Sequence, residues 1–273
     1  MQLWDTHMHS HCSHDGSRTV VDMAQAAVQN GLSGICITDH CDIEFCESVD
    51  LEKNASESFA ETKEAARAYR DHLTVLCGIE IGEALFFPEA AEKMQKLLSY
   101  DVILGSVHAV RFPDLTLPYS KIDFSAMRSE SIELYLDRYF DDVSEMIDRF
   151  DFDVLSHLTC PLRYIVGKYG IETDMAPYHE RIDSILKKII KRSIALEINT
   201  SSLGSQYDEL LPSQDIIRRY FDFGGRLITL ASDAHVTQRV GHGFNKAVGV
   251  LRSIGFDTAY YYQNRTARPY RIV

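Results

Sequence analysis

The sequence predicts an α/β fold, a closed barrel of seven parallel strands with a helix after each. Three observations predict it. An apolar run rich in β-branched residues recurs along the chain, ends each time in polar residues, and is followed by a stretch of helical period. The runs are apolar almost throughout rather than alternating, which suits strands buried on both faces of a parallel sheet. The units follow one another without a Gly/Ser/Pro-rich linker or an identical repeat, which favours a single domain over residues 1–273, with an open doubly wound sheet as the runner-up.

The first run covers residues 1–9, and a helix is expected over about 20–30 with Gly31 as its C-cap. The second run, SGICITDH, ends at Asp39 and His40 and precedes an Ala- and Glu-rich helix over 55–71. The third, LTVLCGIEIGEAL, surrounds Glu80, and Pro88 then opens a helix to about residue 99 at a favoured first-turn position. DVILGSVHAV ends at His108, with a long periodic helix over 130–149; FDVLSHL ends at His157, with a helix over 176–192. SIALEINTS ends near Asn199 and precedes a helix over 213–223. GRLITLASDAH ends at Asp233 and His235, before a helix over 245–253. The tail DTAYYYQNRTARPYRIV fits a final strand, a strap or a subunit contact.

The chain has 273 residues and a formal net charge of −12, without the basic excess or stripe of a nucleic-acid binder. No apolar run approaches a membrane span, and the N-terminus lacks the basic-then-apolar pattern of a signal peptide. The 6 cysteines (Cys12, Cys36, Cys41, Cys46, Cys77 and Cys160) form no CxxC pair and read as reduced packing residues of a cytoplasmic protein, with Cys41 and Cys46 in a loop as exceptions. An anionic substrate would need local positive charge, which metal ions can supply.

Side chains at the C-terminal ends of barrel strands point into one shared mouth. His7, His9, Asp15, His40, Glu80, His108, His157, Asp233 and His235 are therefore expected to converge. His7 and His9 share one face of a strand and can grip one ion. Asp15 lies beyond them in a turn with Gly16, and His14 is its rival as a ligand. Glu80 could bridge two ions. A lone strand-end histidine is more often a packing or surface residue, and His72, His179 and His242 are read that way, as are His11 and His14. Asp39 and Asp233 could cap the helices after them, and Asp39 could also orient a ligand histidine. Recurrence at equivalent places in successive units favours ligation for the set. Imidazole and carboxylate without thiolate suit zinc, iron or manganese, and the donors suffice for two or three ions.

Together HMHSHCSHDG, TDH at 38–40, GIE at 78–80, GSVH at 105–108, SHL at 156–158 and SDAH at 232–235 resemble the PHP (polymerase and histidinol phosphatase) family, in order and over nearly the whole chain. The chain length and the AL/FF and HLTCPLRY contexts look like its histidinol-phosphate phosphatases. The resemblance implies a distorted (βα)7 TIM-like barrel of the PHP type and three divalent metal ions. It implies a first ion on His7, His9, Glu80 and Asp233, a second on Glu80, His108 and His157, and a third on Asp15, His40 and His235. Many members carry histidine where this chain has Asp15; a harder, more anionic ligand there favours manganese or iron over zinc.

The implied reaction is hydrolysis of the phosphomonoester L-histidinol phosphate by a metal-bridging hydroxide, with Asp233 or a histidine delivering a proton to the leaving oxygen. Arg163, then Arg111, then Arg239 are the expected phosphate clamps. Asp42, Glu44, Glu47 and above all Glu83 could read the ammonium and imidazole of that substrate, and Phe45 could stack on the ring. Alternatives are a PHP phosphoesterase acting on another ester such as a nucleotide, and a non-catalytic metal-binding scaffold. Amide or lactone hydrolysis on a similar barrel is disfavoured by the lack of a strand-end lysine.

Overall fold

The computed structural model describes residues 2–42, 50–113 and 115–272. In chain order its main elements are β1 (Trp4–Met8), α1 (Val20–Gln29), β2 (Gly34–Ile37), β3 (His40–Asp42), α2 (Leu51–Tyr69), β4 (Thr74–Gly82), α3 (Pro88–Leu97) and β5 (Val102–Ser106). Then come α4 (Ser129–Arg149), β6 (Val154–Leu155), α5 (His179–Arg192), β7 (Ala195–Asn199), α6 (Gln214–Asp222), β8 (Ile228–Ala231), α7 (Phe244–Ile254), β9 (Thr258–Gln263) and β10 (Thr266–Arg271). The parallel sheet runs β1-β2-β4-β5-β6-β7-β8, with β3 also on β4.

The second predicted run is thus split. Gly34 pairs with Thr74 and His40 with Glu80, so the register is the same on both sides of the break. At the break Thr38 donates its N–H to Met8 O at 2.9 Å, and Asp39 O accepts from Glu80 N at 3.2 Å. β2 and β3 are two pieces of one strand, which leaves seven strands in the parallel sheet among the described residues.

The barrel closes irregularly between β8 and β1. Met8 and Ala234 form an isolated parallel bridge, Asp233 N donates to His7 O at 2.9 Å, and Thr6 Oγ1 donates to Leu230 O at 3.0 Å. This nearly closed parallel barrel with intervening helices bears out the predicted fold class.

Helix positions follow from local chemistry. Thr19 and Asp22 form a capping box at α1, and Gly31 beyond its end takes φ 69. Asp50 accepts from Lys53 N and starts α2 four residues before the expected 55. α5 begins at His179 rather than 176 because Ala176–Tyr178, which contains Pro177, forms a 3₁₀ turn. α4 buries Ile132, Tyr135, Leu136, Tyr139 and Val143 at helical spacing, each worth about 1.5–3 kcal/mol when fully buried.

The C-terminal tail forms the β9–β10 hairpin, turned through Asn264 (φ 50) and Arg265 (φ 59), the two positive φ values of a type I′ turn. Asn264 N donates to Asp101 Oδ1 at 3.0 Å, Arg265 pairs with Asp153, and Tyr261 stacks on Trp4 at 3.6 Å. Asp101, Asp153 and Trp4 all stand at the starts of strands. The hairpin therefore caps the end of the barrel opposite the strand C-termini.

No helix among the described residues is long and apolar enough to cross a membrane. Cys12, Cys36, Cys41, Cys77 and Cys160 are buried thiols. Cys41 lies in β3, not in a loop; Cys46 is outside the described residues.

Candidate metal centre

The strand ends converge as expected, and Glu80 stands at their centre. β4 carries it between β3 and β5, where it is fully buried. Its Oε2 lies 3.3 Å from His7 Nε2 and 3.6 Å from His9 Nε2. Its Oε1 lies 2.9 Å from His157 Nε2 and 3.3 Å from His108 Nε2. Asp233 Oδ1 joins the first pair, 3.2 Å from His9 and 3.8 Å from His7. Asp15 Oδ2 lies 3.2 Å from His235 Nε2, and its Oδ1 3.6 Å from His40 Nε2. His14 lies 3.8 Å from Asp42 and 3.9 Å from Asp15, with its ring centre 5.1 Å from that of His40, and lines the mouth beside them.

The imidazoles face one another through their Nε2 atoms, 3.0 Å apart in His7–His9, 3.3 Å in His108–His157 and 3.5 Å in His40–His235. Partners on Nδ1 dictate this. A carboxylate only accepts, so Glu197 Oε2, 2.9 Å from His7 Nδ1, puts the proton there and turns the Nε2 lone pair inward. Asp42 Oδ1 does the same for His108 at 3.0 Å, and the Asp233 carbonyl for His235 at 3.0 Å. His9 Nδ1 lies 3.2 Å from Ser13 Oγ, which itself donates to Asp39 Oδ1 at 2.7 Å. Asp39 thus acts on His9 through Ser13, and it also accepts from Ser10 and Ser58.

Two glycines permit this geometry. A Cβ on Gly16 would fall 1.8 Å from Ser10 O, so the turn presenting Asp15 requires glycine. A Cβ on Gly82 would fall 2.5 Å from Asp42 Oδ1 and 3.0 Å from His108 Nδ1.

The donor set fits metal ions. Glu80, Glu197, Asp39 and Asp42 are buried, and their partners above are imidazoles, serines, an asparagine and backbone amides rather than lysine or arginine. Buried carboxylates need a compensating cation. Glu80 Oε2 and His40 Nδ1 lie 2.9 Å apart, yet both are buried without a hydrogen bond. Burial alone would depress His7, but Glu197, Glu80 and Asp233 overcome it and hold it well above the usual imidazole range. His40 and His108 are raised likewise, against burial, by Asp42 and Glu80. His9 is pushed down to about 3 by burial and by His40 and His235. The mouth draws positive charge strongly, and its N/O donors suit zinc, iron or manganese.

Arg163 opens a π-helical turn (Arg163–Lys168), lines the mouth and donates to Ser201 Oγ at 3.2 Å. Arg239 donates to the Ser201 carbonyl at 2.7 Å, and both guanidinium groups border a cleft continuous with Asp233 and His235. Tyr119 and Tyr164, with ring centres 5.4 Å apart, form an aromatic wall.

Three expectations are corrected. Arg111 does not reach the mouth: its Nε and Nη2 grip Asp142 Oδ1 at 2.8 and 2.6 Å, and Nη2 also meets Glu145. Glu83 points its Oε1 at the backbone N–H groups of His108 and Ala109, at 2.5 and 2.7 Å, and so positions the His108 segment instead of reading a substrate. Asp42 is a buried strand residue on His108, not part of an acidic loop. Glu44, Phe45 and Glu47 are outside the described residues. Burial opposes ionisation of Asp233, but His7, His9 and His235 hold it well below the usual carboxylate range, which fits ligation. Its φ of 52 is a strained backbone of the kind found at functional sites. Sequence reasoning missed Glu197; the signal was a carboxylate inside the apolar run IALEIN.

The PHP domain model matches residues 5–201. The chain belongs to the PHP domain family. Among its PHP relatives, the histidinol-phosphatase of Lactococcus lactis is 28% identical over 94% of this chain and 93% of its own. The probable histidinol-phosphatase of Thermotoga maritima is 29% identical over 93% of each chain. The crystal structure of histidinol phosphate phosphatase from Lactococcus lactis, complexed with zinc, L-histidinol and phosphate, superposes with a TM-score of 0.83 at 25% identity, over 98% of this chain and 99% of that one.

Proposed function

We propose that this PHP protein is a metal-dependent phosphomonoesterase that hydrolyses L-histidinol phosphate to L-histidinol and phosphate, with the whole chain working as one barrel domain. The observation that carries the reading is Glu80, which turns one carboxylate oxygen to His7 and His9 and the other to His108 and His157. We assign His7, His9, Glu80 and Asp233 to a first divalent ion, Glu80, His108 and His157 to a second, and Asp15, His40 and His235 to a third. Bound there, such ions supply Lewis acidity, which activates water near neutral pH and neutralises phosphate oxygens.

The chain's own groups do the rest. Glu197, Asp42 and Ser13 fix the tautomers of His7, His108 and His9. Arg163 and Arg239 offer planar donor forks to phosphate oxygens from one side of the mouth. Tyr119 and Tyr164 line the mouth beside Arg163 and offer apolar surface to the leaving group. The choice of histidinol phosphate rests on the names of the similar proteins, since small-molecule phosphate esters as a class fit this mouth.

The test is phosphate release from L-histidinol phosphate, a nucleotide and a generic aryl phosphate, with metal analysis of the same sample. The reading expects the first substrate to give the highest kcat/KM and bound metal to reach at least three equivalents. Equal turnover of all three substrates would remove the assigned specificity. Full activity of a His7→Ala, His9→Ala double variant would remove the centre as catalyst.

A further inference from the structure

The loop between β1 and α1 meets α2 at a second set of metal-ligating side chains. His11 Nε2 lies 2.9 Å from Glu61 Oε1 and 3.1 Å from its Oε2. With Cys12, adjacent in sequence, the donor atoms fall within 4.8 Å of one another. None of the three lines the strand-end mouth.

Their depths are graded. Cys12 is 7% exposed, whereas the Glu61 and His11 side chains are 34% and 43% exposed. A sulfur donor thus lies at the floor, with an oxygen and a nitrogen donor above it at the surface. Around a tetrahedral ion, bonds of about 2.0–2.3 Å set donors roughly 3.3–3.8 Å apart, so modest side-chain adjustment brings the three into a ligand set.

We propose that His11, Cys12 and Glu61 bind one further divalent transition-metal ion, with sulfur, nitrogen and oxygen ligands and a fourth position open to solvent. A mixed thiolate, imidazole and carboxylate set selects zinc or cobalt(II) over magnesium or calcium, which prefer all-oxygen sites. Binding forms the metal–sulfur bond and releases the Cys12 thiol proton to solvent. The site differs in chemistry from the strand-end centre, whose donors are nitrogen and oxygen alone.

Position gives the site a consequence. The same loop carries His9 and Asp15 into the mouth, and Ser10 and Ser13 tie it to Asp39. α2 reaches Asp39 as well, through Ser58 Oγ at 2.6 Å. An ion on His11, Cys12 and Glu61 fastens loop to helix a second time, from the solvent side. Without it the link at this edge is the exposed His11–Glu61 contact.

The experiment uses the full-length protein loaded with cobalt(II). A cysteine ligand gives a sulfur-to-cobalt charge-transfer band in the near ultraviolet, which the nitrogen and oxygen donors of the mouth cannot produce. The band is expected in the unaltered protein, lost in Cys12→Ser together with about one equivalent of metal, and retained in Cys160→Ser, which alters the thiol that lines the mouth. Phosphatase activity should survive in Cys12→Ser. Should Cys12→Ser fold poorly, Glu61→Gln carries the test through a cobalt affinity for the band lowered at least about 10-fold. Absence of the band at saturating cobalt, its persistence in Cys12→Ser, or an unchanged affinity in Glu61→Gln would each overturn the proposal. None of these outcomes depends on the strand-end centre being catalytic.

Discussion

Oε2 of Glu197 lies 2.9 Å from Nδ1 of His7, and both side chains are fully buried. The other oxygen of Glu197 accepts from His157 N at 3.0 Å and from Asn199 Nδ2 at 2.8 Å. One carboxylate therefore holds a histidine of one strand end and the backbone of another. Glu197→Gln must place its amide NH₂ against an existing donor whichever way it turns. It should lower metal affinity about 10–100-fold. Metal titration followed by kcat checks this, and wild-type affinity would show that the contact does not tune His7.

Arg111 is expected to matter for stability and not for substrate. Arg111→Met removes both guanidinium bonds to Oδ1 of buried Asp142, leaving it only the backbone N–H of residue 111 on Oδ2, and should cost about 1–3 kcal/mol. The Michaelis constant should stay unchanged, while Arg163→Lys should raise it. The pH dependence has a definite sign. The Arg111 and Arg149 hydrogen bonds lower Glu145 from 4.5, so its contribution is present above that value and is lost as pH falls through the lowered one. The stability gap between Arg111→Met and the unaltered chain should narrow in acid; denaturant unfolding at several pH values measures it. A raised Michaelis constant in Arg111→Met would restore it as a substrate contact.

Gly82→Ala puts a methyl group 2.5 Å from Asp42 Oδ1 and 3.0 Å from His108 Nδ1. The Asp42–His108 bond must open, at a cost of about 1–3 kcal/mol for overpacking. Lower metal content and lower kcat are expected together. Full metal loading with unchanged kcat would mean that the bond is dispensable.

Cys160 lines the mouth but is expected to be inert. Burial pushes its thiol up to about 11, with Arg163 opposing. Below that value the group is the neutral thiol, so at pH 8 only about one part in a thousand is the reactive thiolate. Iodoacetamide should label Cys160 in denatured protein and not in the native state, by peptide mapping. Rapid native labelling would contradict the burial.

Much of this was legible before folding. Strand runs and helices are local patterns, and most helix bounds moved by only a few residues, with shifts where Asp50 caps early or Pro177 forces a 3₁₀ turn. The strand-end donors were legible for the same reason, since parallel strands deliver their C-terminal ends to one mouth. The closing hairpin was not, because its partners Trp4, Asp101 and Asp153 lie far back in the chain.

The sequence by itself determined that histidines and carboxylates crowd one end of a parallel barrel, because period and run length decide where each strand stops. Tertiary structure alone decided what each group does there. Glu197 meets His7 across 190 residues of sequence, Arg111 meets Asp142 on a helix the sequence placed but did not orient, and Asp15 comes within 3.6 Å of His40 and 3.2 Å of His235 because of how one turn is aimed. A single carboxylate or guanidinium has no periodicity to read. Its role is set by which neighbour comes within about 3 Å, and only the closed barrel fixes that distance.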